Sequence, residues 1–159
     1  MREISDAAEL CGIALAPEDS YRLTADIDLS GADWTPIPFS GTLDGDGHTI
    51  YNLTLRRPGE ETAECRDGNN IPYDAHYAGL FSVAKNASVR DLQLRGVYAE
   101  VESEDNCFVA ALAGYAYDLT AENVSVEGRL RLYANGKIVG VGGMIGFGSG
   151  WFKIGRAHV

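Results

Sequence analysis

The stretch that decides the fold is "AGLFSVAKNASVRDLQLRG" (residues 78–96), because the chain repeats its pattern 32 residues later. The second copy is "AALAGYAYDLTAENVSVEG" (residues 110–128), and the opening motif returns as "GMIG" at residues 143–146. Each copy runs small-apolar-apolar-small, then a short turn, then two apolar residues around a polar one. Units that cannot bury an apolar face alone must stack on their neighbours. The repeat therefore predicts a solenoid.

An apolar-polar-apolar triplet closes each copy, with Leu92 and Leu94 in the first and Val124 and Val126 in the second. The segment "IYNLTL" (residues 50–55) has the same form and indicates an earlier copy. Such alternation is typical of strands with one buried face. The residue before each triplet is of a type that tolerates left-handed backbone, which favours a bend between two strands. These bend residues are Asn52, Asp91 and Asn123. We therefore expect an all-β fold, a parallel β-helix (β-solenoid) of a few coils.

The front of the chain follows a different pattern. Ser5–Leu15 ("SDAAELCGIAL") begins with a serine that could cap a helix and carries apolar residues near helical spacing, which predicts one short helix. The apolar positions are Ala7, Leu10, Cys11 and Ala14. The following "YRLTADIDLS" (residues 21–30) alternates as a strand does, and two prolines, Pro36 and Pro38, indicate an extended or turning segment.

Two segments are predicted to be loops. Residues 56–77 lack periodicity and contain proline, glycine and many charges, whereas residues 97–108 are acidic and stand at the same stage of the next unit. Loops at equivalent stages of successive coils cluster on one side of a solenoid, where binding surfaces often lie.

The chain divides into an N-terminal segment with the helix (1–20), the repeat region (21–152) and a short tail (153–159). The tail ends in "IGRAHV", which matches the translation of a common sequencing adapter. We therefore predict that the tail is not native, and that the natural protein continues into further repeats.

Composition argues against several classes of function. The net charge of −10 disfavours binding to nucleic acid or to an anionic membrane, since both require basic patches. No apolar run reaches the roughly 18 residues of a membrane span. The three cysteines, Cys11, Cys65 and Cys107, lack metal-ligand spacing. Cys65 and Cys107 both lie in predicted loops and could form a disulfide, although free thiols are the simpler expectation.

These repeats resemble the GLUG motif of bacterial cell-surface proteins, named for Gly-Leu-apolar-Gly. The matching cores are "AGLFS", "AALAG" and "VGGMIG", and the lead-in "YRLTADIDLSGADWTPI" resembles the segment that often precedes such repeats. The chain departs from the motif at Ala111 and Ser82, which replace a glycine by another small residue. The resemblance implies a right-handed β-helix within a large secreted or surface-anchored protein, often adhesin-like. It sometimes accompanies IgA-cleaving peptidases, but the chain has no HExxH motif.

The stretch "DGDGH" (residues 44–48) is the first candidate for a metal or catalytic site. Calcium takes about six to eight oxygen ligands, a shell that Asp44 and Asp46 do not fill. Asp-Gly pairs are strong turn formers. We therefore expect a turn here rather than a cation site, with His48 as a surface or hydrogen-bonding residue.

Other candidates are weaker. Asp26 and Asp28 share one face of a strand and could serve as the paired acids of a glycosidase, but a solvated or capping role is the simpler prediction. Asp91 is predicted to be a bend residue, because the copies place asparagine there. Exposed aromatic residues could stack on sugars, although aromatics are more often core; they are Trp34, Tyr51, Tyr98, Tyr115 and Tyr117. Three glycosylation sequons, at Asn52, Asn86 and Asn123, coincide with turns and bends and are discounted.

The sequence therefore predicts no catalytic, cofactor-binding or metal-binding residue. Our leading hypothesis is a non-enzymatic repeat module of a secreted or surface-anchored bacterial protein, with an adhesion or scaffold role and host or cell-surface glycans or proteins as partners. The alternatives are a carbohydrate-active β-helix enzyme, either a polysaccharide lyase or a glycosidase, and a phage tail or fibre module.

Overall fold

The computed structural model describes all of the chain except residues 61, 67, 68, 71, 135–138, 150–152 and 156–159. It leaves the side chains of residues 62–66, 72, 73, 134, 139, 147, 149 and 153–155 undescribed. The predicted non-native character of the tail, residues 153–159, falls largely outside the described residues.

The described strands form three sheets in which nearly all pairs are parallel. Sheet 1 contains β1 (Arg2–Ile4), β2 (Ser20–Leu23), β3 (Ile27–Asp28), β5 (Thr42–Asp44), β6 (Thr49–Tyr51), β7 (Thr54–Leu55), β11 (Ser88–Ser103), β14 (Thr120–Ala134) and β17 (Lys153–Gly155). Sheet 2 contains β4 (Ile37–Phe39), β10 (Phe81–Lys85), β13 (Ala113–Tyr117) and β16 (Ile145–Ser149). Sheet 3 contains β8 (Thr62–Arg66), β9 (Pro72–Ala78), β12 (Cys107–Val109) and β15 (Val139–Val141).

Residues that are 32 positions apart in the sequence pair with each other on neighbouring strands of these sheets. Phe81 pairs with Ala113, and Ala113 with Ile145 in the next strand, so the motif residues stack directly. Leu92 likewise pairs with Val124. From β11 to β17 the chain visits sheet 1, sheet 3 and sheet 2 in that order, twice, and then returns to sheet 1. The predicted all-β, mainly parallel fold is confirmed, and the arrangement is consistent with a β-helix.

The predicted bends are confirmed as left-handed backbone, although one was aligned with the wrong position of the neighbouring strand. Asn52, Asp91 and Asn123 have φ of 61°, 51° and 54°. The register, however, pairs Ile50 with Leu94 rather than with Val89, so Asn52 lies beside Gly96 and not beside Asp91. A turn inserted earlier in the chain shifts the alignment, and pattern matching without gaps could not detect it.

Both predicted loops are wrong. Within residues 56–77, β8 and β9 form an antiparallel hairpin, and β8 covers the edge of β9 that has no parallel neighbour. Within residues 97–108, β11 continues to Ser103 and β12 follows. Val97, Ala99 and Val101 are buried in alternation. The left-handed Gly96 (φ 64°) shifts the register of β11 between Leu94 and Val97 and hides this alternation from a periodicity argument.

The predicted N-terminal helix is present as α1 (Ala7–Cys11) followed by a 3₁₀ helix (Gly12–Leu15). Asp6 rather than Ser5 is the N-cap, since its carboxylate accepts a hydrogen bond from the backbone N–H of Glu9 at 2.8 Å. The buried residues are Leu10 and Ile13, whereas the predicted Cys11 and Ala14 are exposed. The reason is the tighter 3₁₀ winding, which puts residues three apart on one face. The two buried side chains join the main core at its N-terminal end.

A close approach between sheets 2 and 3 explains the last position of the repeated motif. A Cβ atom at Gly114 would lie 2.6 Å from the Tyr77 Cβ atom and 2.8 Å from the backbone nitrogen of Ala78. Tyr77 belongs to a small aromatic cluster on this side, in which its ring lies 5.8 Å from Phe108 and 5.2 Å from Tyr115. The motif therefore ends in a small residue because the neighbouring strand passes directly over it.

We expect replacement of Asn123 by alanine to destabilise the protein by about 1–2 kcal/mol, because alanine is strained at a φ of 54°. The change also removes the hydrogen bond from the Asn123 amide to the Asp91 carboxylate, at 2.9 Å. Urea unfolding checks this. Asn123→Gly is the control, since it loses the hydrogen bond but not the favourable conformation, and should cost less. An alanine variant as stable as the glycine variant would contradict a left-handed bend.

Candidate functional site

The acidic stretch "DGDGH" forms a turn, as predicted. Asp46 and Gly47 both have positive φ, 49° and 80°, and the backbone N–H of His48 donates to the Gly45 carbonyl at 2.8 Å. Positive φ at both central residues defines a type I′ turn, for which Asp-Gly is a preferred pair. Gly47 donates to the carbonyl of Asp91 at 2.9 Å, so this turn stacks beside the next layer's bend.

Asp44 is a buried structural acid. It is only 6% exposed, and its carboxylate lies 3.0 Å from the Arg90 guanidinium and 3.6 Å from that of Arg22. Burial alone would raise the pKa of this carboxyl. The Asp46 backbone N–H and the two arginines outweigh that effect and lower it. The register of the strands places four charged residues side by side on consecutive strands of sheet 1: Arg22, Asp44, Arg90 and Glu122. They form a column of alternating charge.

Asp26 and Asp28 join neighbouring layers. Asp26 accepts a hydrogen bond from the backbone N–H of Thr49 at 2.9 Å and lies 3.3 Å from His48 Nδ1. The Thr49 hydrogen bond is the main reason that the pKa of Asp26 is lowered. Asp28 accepts from the Ser30 hydroxyl at 2.6 Å and from the Asn52 amide at 3.0 Å, and both bonds lower its pKa.

These pKa shifts bear on the glycosidase alternative. Glycoside hydrolysis uses one carboxylic acid whose pKa is raised, so that it is protonated when it donates to the leaving group. Asp26, Asp28 and Asp44 all have lowered pKa values and are ionised near neutral pH. Their hydrogen bonds favour the capping role that the sequence predicts as the simpler one.

The aromatic candidates separate into two groups. Trp34 and Tyr115 are buried, and the Trp34 indole N–H donates to the Leu80 carbonyl at 3.0 Å. Neither can stack on an external sugar. Tyr51, Tyr98 and Tyr117 are 38%, 37% and 40% exposed.

The structure shows whether Cys107 forms a disulfide. Its thiol is free and buried, so the disulfide with Cys65 considered above is not formed. Burial raises the pKa of the Cys107 thiol to about 11, which makes it a poor nucleophile. The side chain of Cys65 lies outside the described residues.

Sequence reasoning missed a polar surface on the outer side of sheet 1, because two of the three segments that form it, residues 56–77 and 97–108, were predicted to be loops. On three strands the outward residues pair in register: Tyr98 stands between Thr54 and Arg129, Glu100 opposite Arg131, and Glu102 opposite Tyr133. We call this surface the Arg–Tyr face; it comprises Arg56, Tyr98, Glu100, Glu102, Arg129, Arg131 and Tyr133. The signal that could have revealed it is the continued alternation "VEGRLRLY" (126–133).

The Tyr98 hydroxyl is held in place by another residue of the Arg–Tyr face. It donates to the Glu100 carboxylate at 2.6 Å. This hydrogen bond and the negative charge of Glu100 raise the pKa of Tyr98, whereas the nearby Arg131 and Arg56 lower it. Beside Tyr98, a shallow groove of about 380 Å³ lies at the bend, lined by Gly96, Val97, Tyr98, Glu127, Gly128 and Arg129.

Among the described residues, no group of three or more His, Cys, Asp or Glu side chains could hold a metal ion. The described helices are also too short or too polar to cross a lipid bilayer.

Comparisons with known proteins place this chain near two others. It aligns with halomucin from Haloquadratum walsbyi at 42% identity over 80 residues, which covers 38% of this chain and 1% of halomucin. Its structure resembles that of a "putative immunoglobulin A1 protease" from Bacteroides ovatus, with a TM-score of 0.52, 17% identity, and coverage of 98% of this chain and 64% of that one. No protein-family profile matches the chain. The structural likeness supports the fold alone, and the chain spans only part of both proteins.

We expect Asp44→Asn to lower the free energy of unfolding at pH 7 by about 2 kcal/mol, because the change leaves Arg22 and Arg90 facing each other without a carboxylate. Since the pKa of Asp44 is lowered by folding, its stabilising effect exists above the unfolded pKa of about 3.9 and is lost as pH falls through the folded value. The difference between the wild type and Asp44→Asn should therefore shrink below about pH 4.

Urea unfolding from pH 7 to pH 2 measures that difference. Asp46→Asn is the matched control, because Asp46 is exposed and asparagine also tolerates its left-handed backbone. Equal losses in the two variants, or a difference that is independent of pH, would contradict the ion pairs of Asp44.

Proposed function

We propose that this chain is a right-handed β-helix of GLUG-type repeats that serves as a non-enzymatic adhesion or scaffold module of a secreted or surface-anchored bacterial protein. The observation that carries the proposal is the stacking of the motif residues at a register of 32 across three sheets visited in a fixed order. Right-handed connection is the general rule for parallel strands of one sheet. The small residue required at Gly114 agrees with the motif's last position.

The comparisons support this proposal at a coarser level. A segment similar to this chain occurs in halomucin, where it makes up 1% of the protein, as expected for a module within a very long chain. The fold resembles that of the Bacteroides protein. A role as scaffold also agrees with the candidate acids, which serve to connect layers.

The outer surface disfavours the phage-fibre alternative. Solenoid fibres that trimerise bury apolar outer faces, whereas most of the large apolar side chains exposed in the described part of this chain are tyrosines, which carry a polar hydroxyl. Those tyrosines are Tyr51, Tyr98, Tyr117 and Tyr133.

Antibody labelling of cells that carry the gene tests the location. Antiserum against this chain should label intact cells or the culture medium, and added protease should remove the cell-bound signal. Labelling only after lysis would contradict the proposal.

An activity assay tests the non-enzymatic part. Incubation with uronate-containing and neutral polysaccharides should release no reducing ends and no unsaturated products absorbing in the ultraviolet. Turnover that disappears in Asp26→Asn but survives in Asp46→Asn would instead establish the carbohydrate-active alternative.

A further inference from the structure

We propose that the Arg–Tyr face binds an anionic polysaccharide, one that carries carboxylate or sulfate groups as well as free hydroxyls. The inference rests on the proposed extracellular binding role and names the chemistry of the partner.

The arginines of this face differ from the other described arginines. Elsewhere, Arg2, Arg22, Arg57, Arg90 and Arg95 each have a carboxylate within 4.0 Å. Among the described residues, Arg56, Arg129 and Arg131 have no such ion pair, and all three are exposed. In a chain of net charge −10, three unneutralised guanidinium groups on one surface are unexpected unless something else pairs with them.

The tyrosine explains why a nearby acid does not neutralise these arginines. Glu100 pairs in register with Arg131, but its carboxylate accepts the Tyr98 hydroxyl instead. That bond also limits rotation of the Tyr98 ring, which is 37% exposed at the surface. A fixed, exposed aromatic ring beside free guanidinium groups offers a stacking surface for a pyranose and bidentate donors for its acid group.

The spacing suits an extended polymer. Neighbouring strands lie about 4.8 Å apart, and outward residues on one strand about 7 Å apart. Tyr98 and Arg129 occupy neighbouring positions across two strands, and Arg131 and Tyr133 follow along β14. Side chains at these spacings can contact several consecutive sugar units of one polymer. The groove beside Tyr98 is concave and can hold one of these units.

The acids of the face distinguish a glycan from other polyanions. Glu100 and Glu102 lie among the arginines and can accept hydrogen bonds but not donate them. A polysaccharide supplies hydroxyl donors for these carboxylates. The sugar-phosphate backbone of single-stranded DNA has only acceptors and would leave these carboxylates without donors. The side chains of an acidic peptide are likewise acceptors only.

Binding to polygalacturonate, measured by calorimetry at low and high salt, tests the proposal. The double variant Arg129→Gln/Arg131→Gln is expected to bind at least about tenfold more weakly, since each tenfold corresponds to about 1.4 kcal/mol and two charge-assisted contacts are lost. Arg2→Gln/Lys85→Gln removes the same charge elsewhere and should stay within about twofold of the wild type. Equal losses in both double variants would show general electrostatics and overturn the proposal.

The ring provides a second readout. Tyr98→Phe keeps the stacking surface and should bind better than Tyr98→Ala; equal affinities would contradict stacking. Circular dichroism and urea midpoints confirm that each variant is folded.

Binding measurements with other polymers identify the chemical class of the partner. Chondroitin sulfate should also bind and dextran should not. Failure of both anionic polymers, or binding of oligo-dT or poly-L-glutamate as tight as that of polygalacturonate, would overturn the inference. Surface labelling of cells is independent of this result, so a surface protein that ignores anionic glycans would refute this inference and leave the proposed function standing.

Discussion

Replacement of Gly114 by alanine is expected to lower the free energy of unfolding by about 3 kcal/mol, the upper part of the range for overpacked sites. The added methyl group would meet the Tyr77 Cβ atom at 2.6 Å and the Ala78 backbone nitrogen at 2.8 Å. Backbone and Cβ atoms cannot rotate out of the way. Sheets 2 and 3 would therefore have to separate at this point, which disturbs the aromatic cluster as well as the core.

Gly12→Ala is the matched control for this glycine. A Cβ atom at Gly12 would have no neighbour within 4 Å, and its φ of −62° is ordinary for alanine. This variant should be as stable as the wild type or up to about 1 kcal/mol more stable, because alanine reduces the entropy of the unfolded chain. Urea unfolding of both variants gives the comparison. A Gly114→Ala protein as stable as Gly12→Ala would refute the close contact between the sheets.

Replacement of Leu10 by alanine is expected to cost about 3 kcal/mol, within the range for large-to-small changes of buried leucine. Leu10 is fully buried and belongs to the main core, which α1 covers at its N-terminal end. Loss of its side chain leaves a cavity at this end of the core. Thermal and urea unfolding measure the cost.

The exposed neighbour of Leu10 supplies the control. Cys11→Ala removes a side chain that the structure places in solvent, so its effect should lie within about 0.5 kcal/mol. The helical spacing in the sequence makes Cys11 a core residue as well. Similar losses in the two variants would therefore favour that spacing over the 3₁₀ winding of the structure.

Sequence reasoning succeeded where one repeat is compared with another of equal length. The 32-residue offset pairs Leu92 with Val124 correctly, and the residue type at Asn123 indicates its left-handed bend. It failed where the chain changes length between layers. The turn at Asp46 and Gly47 lengthens the chain before Ile50, and a comparison without gaps pairs Ile50 with Val89, five positions before its actual partner Leu94.

The candidate binding surface could not be predicted from the sequence, for a related reason. A left-handed glycine, Gly96, bends β11 and changes which residues of the strand face inward. The sequence beyond it looks acidic and irregular, although Val97, Ala99 and Val101 are buried. A parallel sheet also assembles its outer face from residues far apart in the chain, such as Arg56 and Arg131. Which of them lack an ion-pair partner depends on side-chain geometry that no sequence pattern contains.

The column of alternating charge on sheet 1 has a consequence for folding fidelity. Repeat proteins tend to misfold when a strand pairs with a similar strand from the wrong layer. If β14 skipped β11 and paired with β5, Glu122 would come to lie against Asp44, and if β11 skipped β5 and paired with β2, Arg90 would lie against Arg22. Each slip by one layer thus brings like charges together at a position that is correctly paired only in the native order. The column thereby disfavours those mispairings before the core has formed.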